Sequence, residues 1–225
     1  MISYHPESSW LRAFAAGELP PSLALAVSVH VELCPVCQRH LAALEAELAS
    51  LALTEPALEP ELEAPGGPDW DAMLAAIMAT PQGVGKPSAQ ACPPLQVDWQ
   101  ASAIALPRAM RHLVVPEWQQ VGKVARARLD IAASQHERTS LLSIAPGAVI
   151  PEHTHKGYEL TLLLAGDMTD AEGTYRAGDF LLLDRRHEHS PSTHAGCLCL
   201  TVLDAPVHFT RGLPRLLNGF SGLLY

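Results

Sequence analysis

The spacing of apolar residues predicts that the first part of the chain is helical. Residues 8 to 19 and 21 to 33 are predicted to form two short helices, because Gly17 and the prolines at 20 and 21 break the pattern between them. Residues 35 to 52 are rich in Ala, Leu and Glu, with apolar positions recurring roughly every 3.6 residues. This third segment has the clearest helical pattern in the chain.

A fourth helix is predicted after a connection rich in Pro and Glu. Asp69 is well placed to cap it, and the helix is expected to end before Pro81. Residues 1–80 are therefore expected to form a small helical bundle, of a size that often needs a metal ion or a partner for stability. Residues 81–96 are loaded with Pro, Gly, Gln and Ser, which predicts a linker between domains.

From residue 97 onward the pattern changes to short runs of Val, Leu and Ile, broken by Gly, Pro and Asp. Such regularly spaced runs predict an antiparallel β sandwich or barrel over residues 97–225. The expected fold class is therefore α+β with two domains, a small helical bundle followed by an all-β domain.

The composition indicates a globular protein with a substantial core, since 48% of the residues are hydrophobic and 17% are charged. No run approaches the roughly 20 apolar residues needed to span a bilayer, and no basic segment followed by an apolar one opens the chain. A cytoplasmic location without membrane attachment is therefore expected. The cysteine count of five is odd, which argues against a disulfide framework.

The net charge of -9 argues against direct binding to nucleic acid, which needs a basic surface. Between His40 and Gly85 there are eight acidic residues and no Lys or Arg. Such a run is consistent with a solvated face, or with a surface complementary to a basic protein partner. The acidic residues are Glu45, Glu47, Glu55, Glu59, Glu61, Glu63, Asp69 and Asp71.

Four residues near the N-terminus have the types and spacing of one tetrahedral metal site. They follow the pattern H-x24-H-x3-C-x2-C and are His5, His30, Cys34 and Cys37. Zinc in structural sites takes four such nitrogen and sulfur ligands. Pro35 disfavours an unbroken helix, so one helix is expected to end near His30 and the next to start at Cys34. The alternative interpretation is two unrelated histidines beside a buried turn.

A second group of candidate metal ligands lies in the β region. His153 and His155 are two residues apart on a predicted strand and therefore share a face. Glu159 can return on the next strand as a third ligand, and the later stretch from His187 to His189 can supply a fourth. These ligand types suit zinc, iron, manganese or nickel, so they leave the metal open.

The stretch from Gly147 to Gly166 matches the pattern G-x5-H-x-H-x3-E-x6-G. In this it resembles the first conserved motif of the cupins, which are small β-barrel proteins. The second cupin motif is matched more loosely by Gly178, Asp179 and the sequence HEHSP. Because the cupin fold hosts enzymes, binding proteins and regulators, the resemblance implies a fold but not an activity.

The combination of both motifs is more specific. A short N-terminal H-x24-H-x3-C-x2-C module joined to a C-terminal cupin resembles the ChrR family of zinc-binding anti-sigma factors, from His5 to about Thr210. The resemblance implies that the helical module sequesters an extracytoplasmic-function sigma factor. It also implies that the cupin domain serves the response to singlet oxygen or organic peroxides, and that the chain is not an enzyme.

The resemblance further implies a ligand set for each domain. The zinc ligands of the helical domain would be His5, His30, Cys34 and Cys37. The ligands of a second zinc in the cupin would be His153, His155, Glu159 and His189. His189 is preferred because the family pattern E-H-[TS]-P matches residues 188 to 191, and His187 stays as the alternative. Cys197 and Cys199 match a C-x-C of the family, as redox partners or as small core residues.

Two other functions stay open at this point. The first is a cupin metalloenzyme, a dioxygenase or an isomerase, that carries an accessory zinc module. The second is a zinc-dependent interaction module whose cupin is structural. The anti-sigma hypothesis expects a sigma factor as partner, one zinc in the helical domain, and a second zinc, or else iron, manganese or nickel, in the cupin. It also allows a homodimer when the partner is absent.

Overall fold

The computed structural model describes residues 2–54, 69–80, 93–132 and 136–210. The described residues of the N-terminal region form four helices, as the sequence predicts. They are α1 (Ser8–Ala15), α2 (Pro21–Leu33), α3 (Pro35–Thr54) and α4 (Trp70–Ala79). Most of the predicted linker, residues 81–92, lies outside the described residues, as do residues 211–225 and the acidic residues Glu55, Glu59, Glu61 and Glu63.

Helix α1 ends at Ala15, earlier than the predicted end at residue 19, because Gly17 adopts a left-handed conformation with a φ of 72°. The amides of Gly17 and Glu18 donate hydrogen bonds back to the carbonyls of Phe14 and Ala13, at 3.0 and 2.9 Å. This pair of bonds closes the helix, and glycine adopts the required backbone conformation without steric cost. The predicted first helix was therefore too long at its C-terminal end.

The junction between α2 and α3 joins the two helices at a sharp angle. Cys34 is extended, with φ -113° and ψ 103°, and Pro35 takes the first position of α3. Pro35 is tolerated there because the first amides of a helix have no intrahelical acceptor. The predicted break at Cys34 is confirmed, although α2 continues past His30 to Leu33. Among the described residues, no single helix is long and apolar enough to cross a membrane. Helices α2 and α3 meet the length and hydropathy criteria only as a pair, and a bend of 117° separates them.

Helix α4 begins after Asp69, whose carboxylate accepts a hydrogen bond from the amide of Ala72 at 2.9 Å. This contact confirms the predicted N-cap. No residue of α4 is buried, and Trp70, Leu74 and Met78 are 56%, 58% and 78% exposed. Within the described residues, α4 therefore stands outside the packed core and presents apolar side chains to solvent.

The C-terminal region contains eleven short strands among the described residues, together with a 3₁₀ helix at Arg108–Met110. The strands are β1 (Gln96–Trp99), β2 (Ser102–Ala105), β3 (Gln119–Val121), β4 (Val124–Leu129), β5 (Arg138–Ile144), β6 (His153–His155), β7 (Tyr158–Thr169), β8 (Thr174–Arg176), β9 (Phe180–Asp184), β10 (Cys197–Leu203) and β11 (Val207–Phe209). Every described pairing between these strands is antiparallel, as the sequence predicts.

Strand β7 organises the main sheet, whose strand order is β3-β4-β5-β10-β7-β8. The first half of β7 also pairs with β9, and its last residues pair with β8. Two further pairs, β1 with β2 and β6 with β11, lie apart from this sheet. The strands β6, β7 and β9 therefore meet around the first half of β7, where the second group of candidate ligands lies.

Both faces of the middle of β7 are buried, so this stretch lacks the alternation of a half-exposed strand. On one face, Leu160 and Leu162 belong to the same hydrophobic cluster as Leu11 of α1 and Val27 of α2. On the opposite face, Leu163 belongs to a second cluster inside the barrel. The helical region and the barrel therefore share one hydrophobic core.

A polar contact reinforces this packing. The carboxylate of Glu32, near the end of α2, accepts hydrogen bonds from the amides of Arg108 and Ala109 at 2.8 and 3.1 Å. These amides belong to the first turn of the 3₁₀ helix, where a negative charge is favourable. The end of α2 is thereby tied to the barrel region.

We expect Leu162→Ala to lower the free energy of unfolding by about 2–5 kcal/mol, because its side chain is fully buried where the helices meet the barrel. Leu182→Ala, on the neighbouring strand β9, is the matched control, since Leu182 is 38% exposed and should cost under about 1 kcal/mol. Chemical denaturation of the full chain measures both. Equal losses in the two variants would contradict the packing described here.

Candidate metal centres

The structure brings the four N-terminal candidate ligands together. The residues of this helical cluster are His5, His30, Cys34 and Cys37, and their ligand atoms all lie within 4.8 Å of one another. His5 Nδ1 lies 3.4 and 3.5 Å from the sulfurs of Cys34 and Cys37. His30 Nε2 lies 3.2 Å from the sulfur of Cys37. The interpretation as unrelated histidines beside a turn is therefore not supported.

Three secondary-structure elements build the helical cluster. His30 lies in the last turn of α2, Cys34 at the bend, and Cys37 in the first turn of α3. The bend turns the start of α3 back toward the end of α2, so the three side chains converge. His5 reaches them from the segment before α1 and is exposed, whereas the other three residues are buried.

The barrel orients His30. Its Nδ1 lies 2.8 Å from the carbonyl oxygen of Gly178, in the turn between β8 and β9. A carbonyl can only accept, so Nδ1 carries the proton and Nε2 presents its lone pair to the cluster. Burial lowers the pKa of His30 to about 4, which keeps the ring neutral near pH 7. His30 thus has the protonation state of a metal ligand.

The two thiols of the helical cluster destabilise each other as anions. Burial, and next the nearby Cys34, together raise the pKa of Cys37 to about 12. Two thiolates in this position need a compensating positive charge, and a divalent cation supplies one. The electrostatics of the protein residues alone therefore fit a cation between them.

The second group also converges. The residues of this barrel cluster are His153, His155, Glu159 and His189, and their ligand atoms all lie within 4.8 Å of one another. His189 Nε2 lies 3.0 Å from His153 Nε2 and 3.4 Å from His155 Nε2. A carboxylate oxygen of Glu159 lies 3.1 Å from His155 Nε2. Four potential ligand atoms thus face one point.

The barrel strands fix this arrangement. His153 and His155 share one face of β6, and Glu159 lies near the start of β7, the next strand along the chain. His189 lies beyond β9, where its amide and carbonyl exchange hydrogen bonds of 3.0 Å with the carbonyl and amide of His153. This bridge places the two side chains on neighbouring positions, as an antiparallel pair requires.

His187, the alternative fourth residue, lies elsewhere. Its Nδ1 is 2.9 Å from the carboxylate of Asp184, at the end of β9. His189 is buried in the cluster, whereas His187 is only partly buried. Of the two histidines, the structure brings His189 and not His187 to the other three residues.

The histidines of the barrel cluster are also suited to bind a cation. Burial lowers the pKa of His153 and of His155 to about 4 in each case. The Nδ1 of His153 lies 2.8 Å from the carbonyl of Pro151, which leaves its Nε2 lone pair facing the cluster. Glu159 contributes the one carboxylate, whose other oxygen accepts a hydrogen bond from the hydroxyl of Thr161 at 3.0 Å.

A cavity of about 340 Å³ inside the barrel opens onto this cluster. Its walls are mostly apolar and include Leu142, Ile144 and Phe209, while His153 and His189 lie at its polar end. Ligand pockets typically combine apolar walls with a few convergent polar groups. The sequence did not predict this cavity, because its walls come from strands that are distant in the chain.

Cys197 and Cys199 lie on β10 and are fully buried free thiols. A hydrogen bond with Cys197 and burial both raise the pKa of Cys199. Cys199 also lines the barrel cavity. Burial in the second hydrophobic cluster fits the interpretation as small core residues, and the redox interpretation stays a hypothesis.

Gly178 and Asp170 orient members of the clusters, and no feature of the sequence predicted these roles. Gly178 supplies the carbonyl that accepts from His30, and Asp170 approaches Nδ1 of His189 at 3.3 Å. A backbone carbonyl has no residue-type signature. Asp170 lies in a tight turn between β7 and β8, where an aspartate has an ordinary local role.

Comparison with known proteins supports the cupin assignment of the barrel and shows similarity to one relative over nearly the whole chain. Residues 107–206 match the model of the ChrR cupin-like domain. The chain is 31% identical to the anti-sigma-E factor ChrR of Cereibacter sphaeroides, over 97% of this chain and 98% of that protein. The boundaries predicted at residues 80 and 97 stay predictions.

The fold has a counterpart in a crystal structure of Rhodobacter sphaeroides SigE in complex with the anti-sigma ChrR. The match has a TM-score of 0.63 and 29% sequence identity, and it covers 91% of this chain and 100% of that chain. An RmlC-like cupin protein from Ralstonia eutropha JMP134 matches with a TM-score of 0.38 and 16% identity, over 42% of this chain and 67% of that chain. This second likeness is too distant to bear on function.

ChrR is similar to this chain along the helical region as well as the barrel, in sequence and in structure. The resemblance therefore extends beyond the cupin fold. Cupins include enzymes, but an anti-sigma factor is a regulator that acts by binding. The chain belongs to the ChrR family of anti-sigma factors and is not an enzyme.

Proposed function

We propose that this protein sequesters an extracytoplasmic-function sigma factor in the cytoplasm and releases it under oxidative stress, in response to singlet oxygen or an organic peroxide. The observation that carries the proposal is the full-length match to ChrR, whose matched crystal structure is a complex with SigE. Sequestration by a protein of this kind acts through occlusion: a covered sigma factor can bind neither core polymerase nor promoter.

Helix α4 is suited to contact the sigma factor. Its exposed apolar residues recur every three or four positions and therefore share one face of the helix: Trp70, Met73, Leu74, Ile77 and Met78. Such contiguous apolar surfaces mark interaction sites. Asp69 and Asp71 add negative charge beside this surface, which favours a basic partner.

The bundle of α1 to α3 provides a second contact surface for the sigma factor. Because α4 is joined to it through the chain, docking of one part makes docking of the other nearly intramolecular. Leu33, Val36 and Leu51 expose apolar surface on α2 and α3. A sigma factor held between these two surfaces would be covered on two sides.

We propose that the helical cluster binds zinc. Tetrahedral zinc with bonds of about 2.3 Å to sulfur and 2.0–2.1 Å to nitrogen separates a sulfur from a nitrogen by about 3.6 Å. The observed separations of 3.2 to 3.5 Å are close to this value. When bound, zinc would link the N-terminal segment, α2 and α3 and would contribute folding free energy.

We propose zinc in the barrel cluster too, with iron, manganese or nickel as alternatives. Two nitrogen ligands of tetrahedral zinc are about 3.3 Å apart, and the observed nitrogen separations are 3.0 and 3.4 Å. Three imidazoles and one carboxylate suit any of these metals, so the donor set leaves the identity open.

The barrel is the proposed sensing domain. Its cavity gives a small oxidant access to the barrel cluster. The ligands of both clusters are buried except the exposed His5 and the partly buried Glu159, so the cavity is what sets the barrel cluster apart. The cluster that the cavity reaches is therefore suited to detect the signal, and the helical cluster, which joins α2, α3 and the N-terminal segment, is suited to maintain the surface that binds the partner.

The remaining expectations about partners stay predictions. We expect no direct contact with nucleic acid, because the net charge is -9. We expect no membrane attachment. In the absence of a sigma factor, the apolar residues of α4 are available to a second copy of the chain, which would give a homodimer.

Loss of His30 should abolish metal binding at the helical cluster, while the barrel cluster keeps its own metal ion. We expect His30→Ala to lose about one zinc ion per chain and to weaken sigma factor binding at least about tenfold, because the bundle loses its metal cross-link. His40→Ala on α3 is the matched control, because His40 is exposed and outside both clusters. Elemental analysis and pull-down from the native host test this. Full sigma binding by metal-free His30→Ala would refute the proposed role of zinc.

The barrel cluster should be dispensable for binding but required for release. We expect His189→Ala to lose the barrel metal, to retain the sigma factor, and to hold it when organic peroxide is added. His187→Ala should behave like the native chain, since His187 lies outside the cluster. Peroxide-dependent dissociation of the purified complex is the measurement. Normal release from metal-depleted His189→Ala would show that sensing occurs elsewhere.

Substitution in α4 should weaken the complex without affecting folding. We expect Leu74→Ser to reduce sigma affinity at least about tenfold, since apolar anchors carry much of the energy of an interface. Its unfolding temperature should be unchanged because Leu74 is 58% exposed. Val114→Ser is the matched control on the barrel side, at a residue that is 82% exposed. Calorimetric titration with purified sigma factor gives both affinities, and equal values would exclude α4 from the interface.

A further inference from the structure

We propose that β8 and the two turns that flank it orient one histidine in each cluster, and thereby couple the metal occupancy of the barrel cluster to that of the helical cluster. The inference rests on the metal binding proposed above. Asp170 is the positioning residue on the barrel side, and Gly178 supplies the positioning group on the helical side. Tyr175, between them, contacts the residues that lead to both clusters.

On the barrel side, Asp170 is held rigidly. Its Oδ1 accepts hydrogen bonds from the hydroxyl of Tyr175 at 2.8 Å and from the amides of Glu172 and Gly173 at 2.9 and 3.2 Å. Its Oδ2 faces Nδ1 of His189 at 3.3 Å, and its side chain is 3% exposed. A carboxylate in this position fixes the ring orientation of a metal-binding histidine and increases its basicity.

On the helical side, the turn after β8 serves the same purpose with a backbone group. The carbonyl of Gly178 accepts from Nδ1 of His30 at 2.8 Å. Gly178 has a φ of +94°, and a Cβ at this position would collide with the side chain of Ile2. The backbone conformation therefore favours glycine, and the missing side chain leaves room for Ile2 of the N-terminal segment.

The same turn also holds the residues that precede His5. The buried carboxylate of Asp179 accepts hydrogen bonds from the amides of Ser3 and Tyr4 at 2.7 and 3.0 Å. The amide of Phe180 donates to the carbonyl of Tyr4 at 3.1 Å. Three hydrogen bonds thus fix the backbone just before His5, and the position of this ligand depends on the barrel turn.

Tyr175 connects the two sides directly. Its hydroxyl donates to Asp170, and its ring contacts the ring of Tyr4 edge to face, with centroids 4.8 Å apart. Tyr175 is 1% exposed, so its ring cannot move without displacing one of these neighbours. A movement of Asp170 together with His189 would therefore displace Tyr175 and, through it, Tyr4, the residue before His5.

The coupling acts in both directions. If metal at the barrel cluster stabilises the docked N-terminal segment, then the docked segment stabilises metal at the barrel cluster by the same factor. This arrangement gives the barrel a physical route to the helical cluster that needs no contact between the two sets of ligands.

The first experiment tests Asp170 in the full chain. We expect Asp170→Asn to lose the barrel metal at a chelator concentration about 10–100-fold lower than the native chain. The matched control is Asp184→Asn, which removes a histidine contact of 2.9 Å outside both clusters. Equal metal retention in the two variants would overturn the positioning role of Asp170.

The second experiment tests the coupling, with added Co²⁺ as the metal probe. Thiolate-to-cobalt absorption reports the helical cluster alone, because the thiolates of Cys34 and Cys37 are the only sulfur ligands proposed. Hydrogen exchange at the amides of Ser3 and Tyr4 reports docking of the N-terminal segment. We expect His189→Ala to weaken Co²⁺ binding at the thiolates several-fold and to accelerate this exchange. A several-fold loss still leaves the helical cluster occupied by zinc, so this variant retains the sigma factor.

Tyr175→Phe removes the link without touching a ligand. In that background, His189→Ala should add little further change at the thiolates or at Ser3 and Tyr4, which is the non-additivity that defines a coupled pair. Purely additive effects would refute the coupling. If the native chain binds no metal, the proposed metal sites are refuted as well. If the native chain binds both metals and the effects of Tyr175→Phe and His189→Ala are additive, this inference alone is refuted.

Discussion

The hydrogen bond from His30 to the carbonyl of Gly178 is the contact on which the arrangement of the two regions depends. It satisfies one nitrogen of a fully buried ring and directs the other toward the cysteines. A buried imidazole without a partner for its N–H would cost free energy, so the helical cluster and the barrel turn are stable together. The helical region is therefore not an independent module that merely precedes a cupin. One of its candidate ligands is oriented by the barrel.

The packing of the central strands follows from the contact between the helices and the barrel. If the helices lie against the barrel, the outer face of the sheet must be as apolar as the inner one. Leu160 and Leu162 meet this demand on β7, and β10 is buried along nearly its whole length. Sheets covered on both sides are built from nearly continuous apolar sequences. The barrel strands are thus adapted to a permanent neighbour, whereas α4 exposes its apolar residues as a surface for a partner would.

The sequence was sufficient for features that rest on local chemistry. Cys-Pro-Val-Cys after a helical segment predicted the break at Cys34, and the alternation of His153 and His155 predicted their common face. Asp69 was recognised as a cap by its type and position. The sequence was insufficient where a group acts through tertiary contacts. The role of Asp170 arises only when the turn after β7 lies beside His189, and the role of Gly178 belongs to its carbonyl. The end of α1 was misplaced because the predicted helix was extended past Gly17 to residue 19, whereas the left-handed conformation of Gly17 closes the helix after Ala15.

The four residues of the helical cluster are not held equally firmly, and this difference favours movement of His5. His30, Cys34 and Cys37 are buried in helices that share the main hydrophobic core. His5 is exposed, and the segment before it is held to the barrel by hydrogen bonds to Asp179 and Phe180 and by the partly buried side chains of Ile2 and Tyr4. Releasing these few residues breaks far fewer contacts than unfolding the bundle, so it costs less free energy. A signal that originates in the barrel can therefore act on the helical cluster by loosening His5 first, while the core that supports the other three residues remains intact.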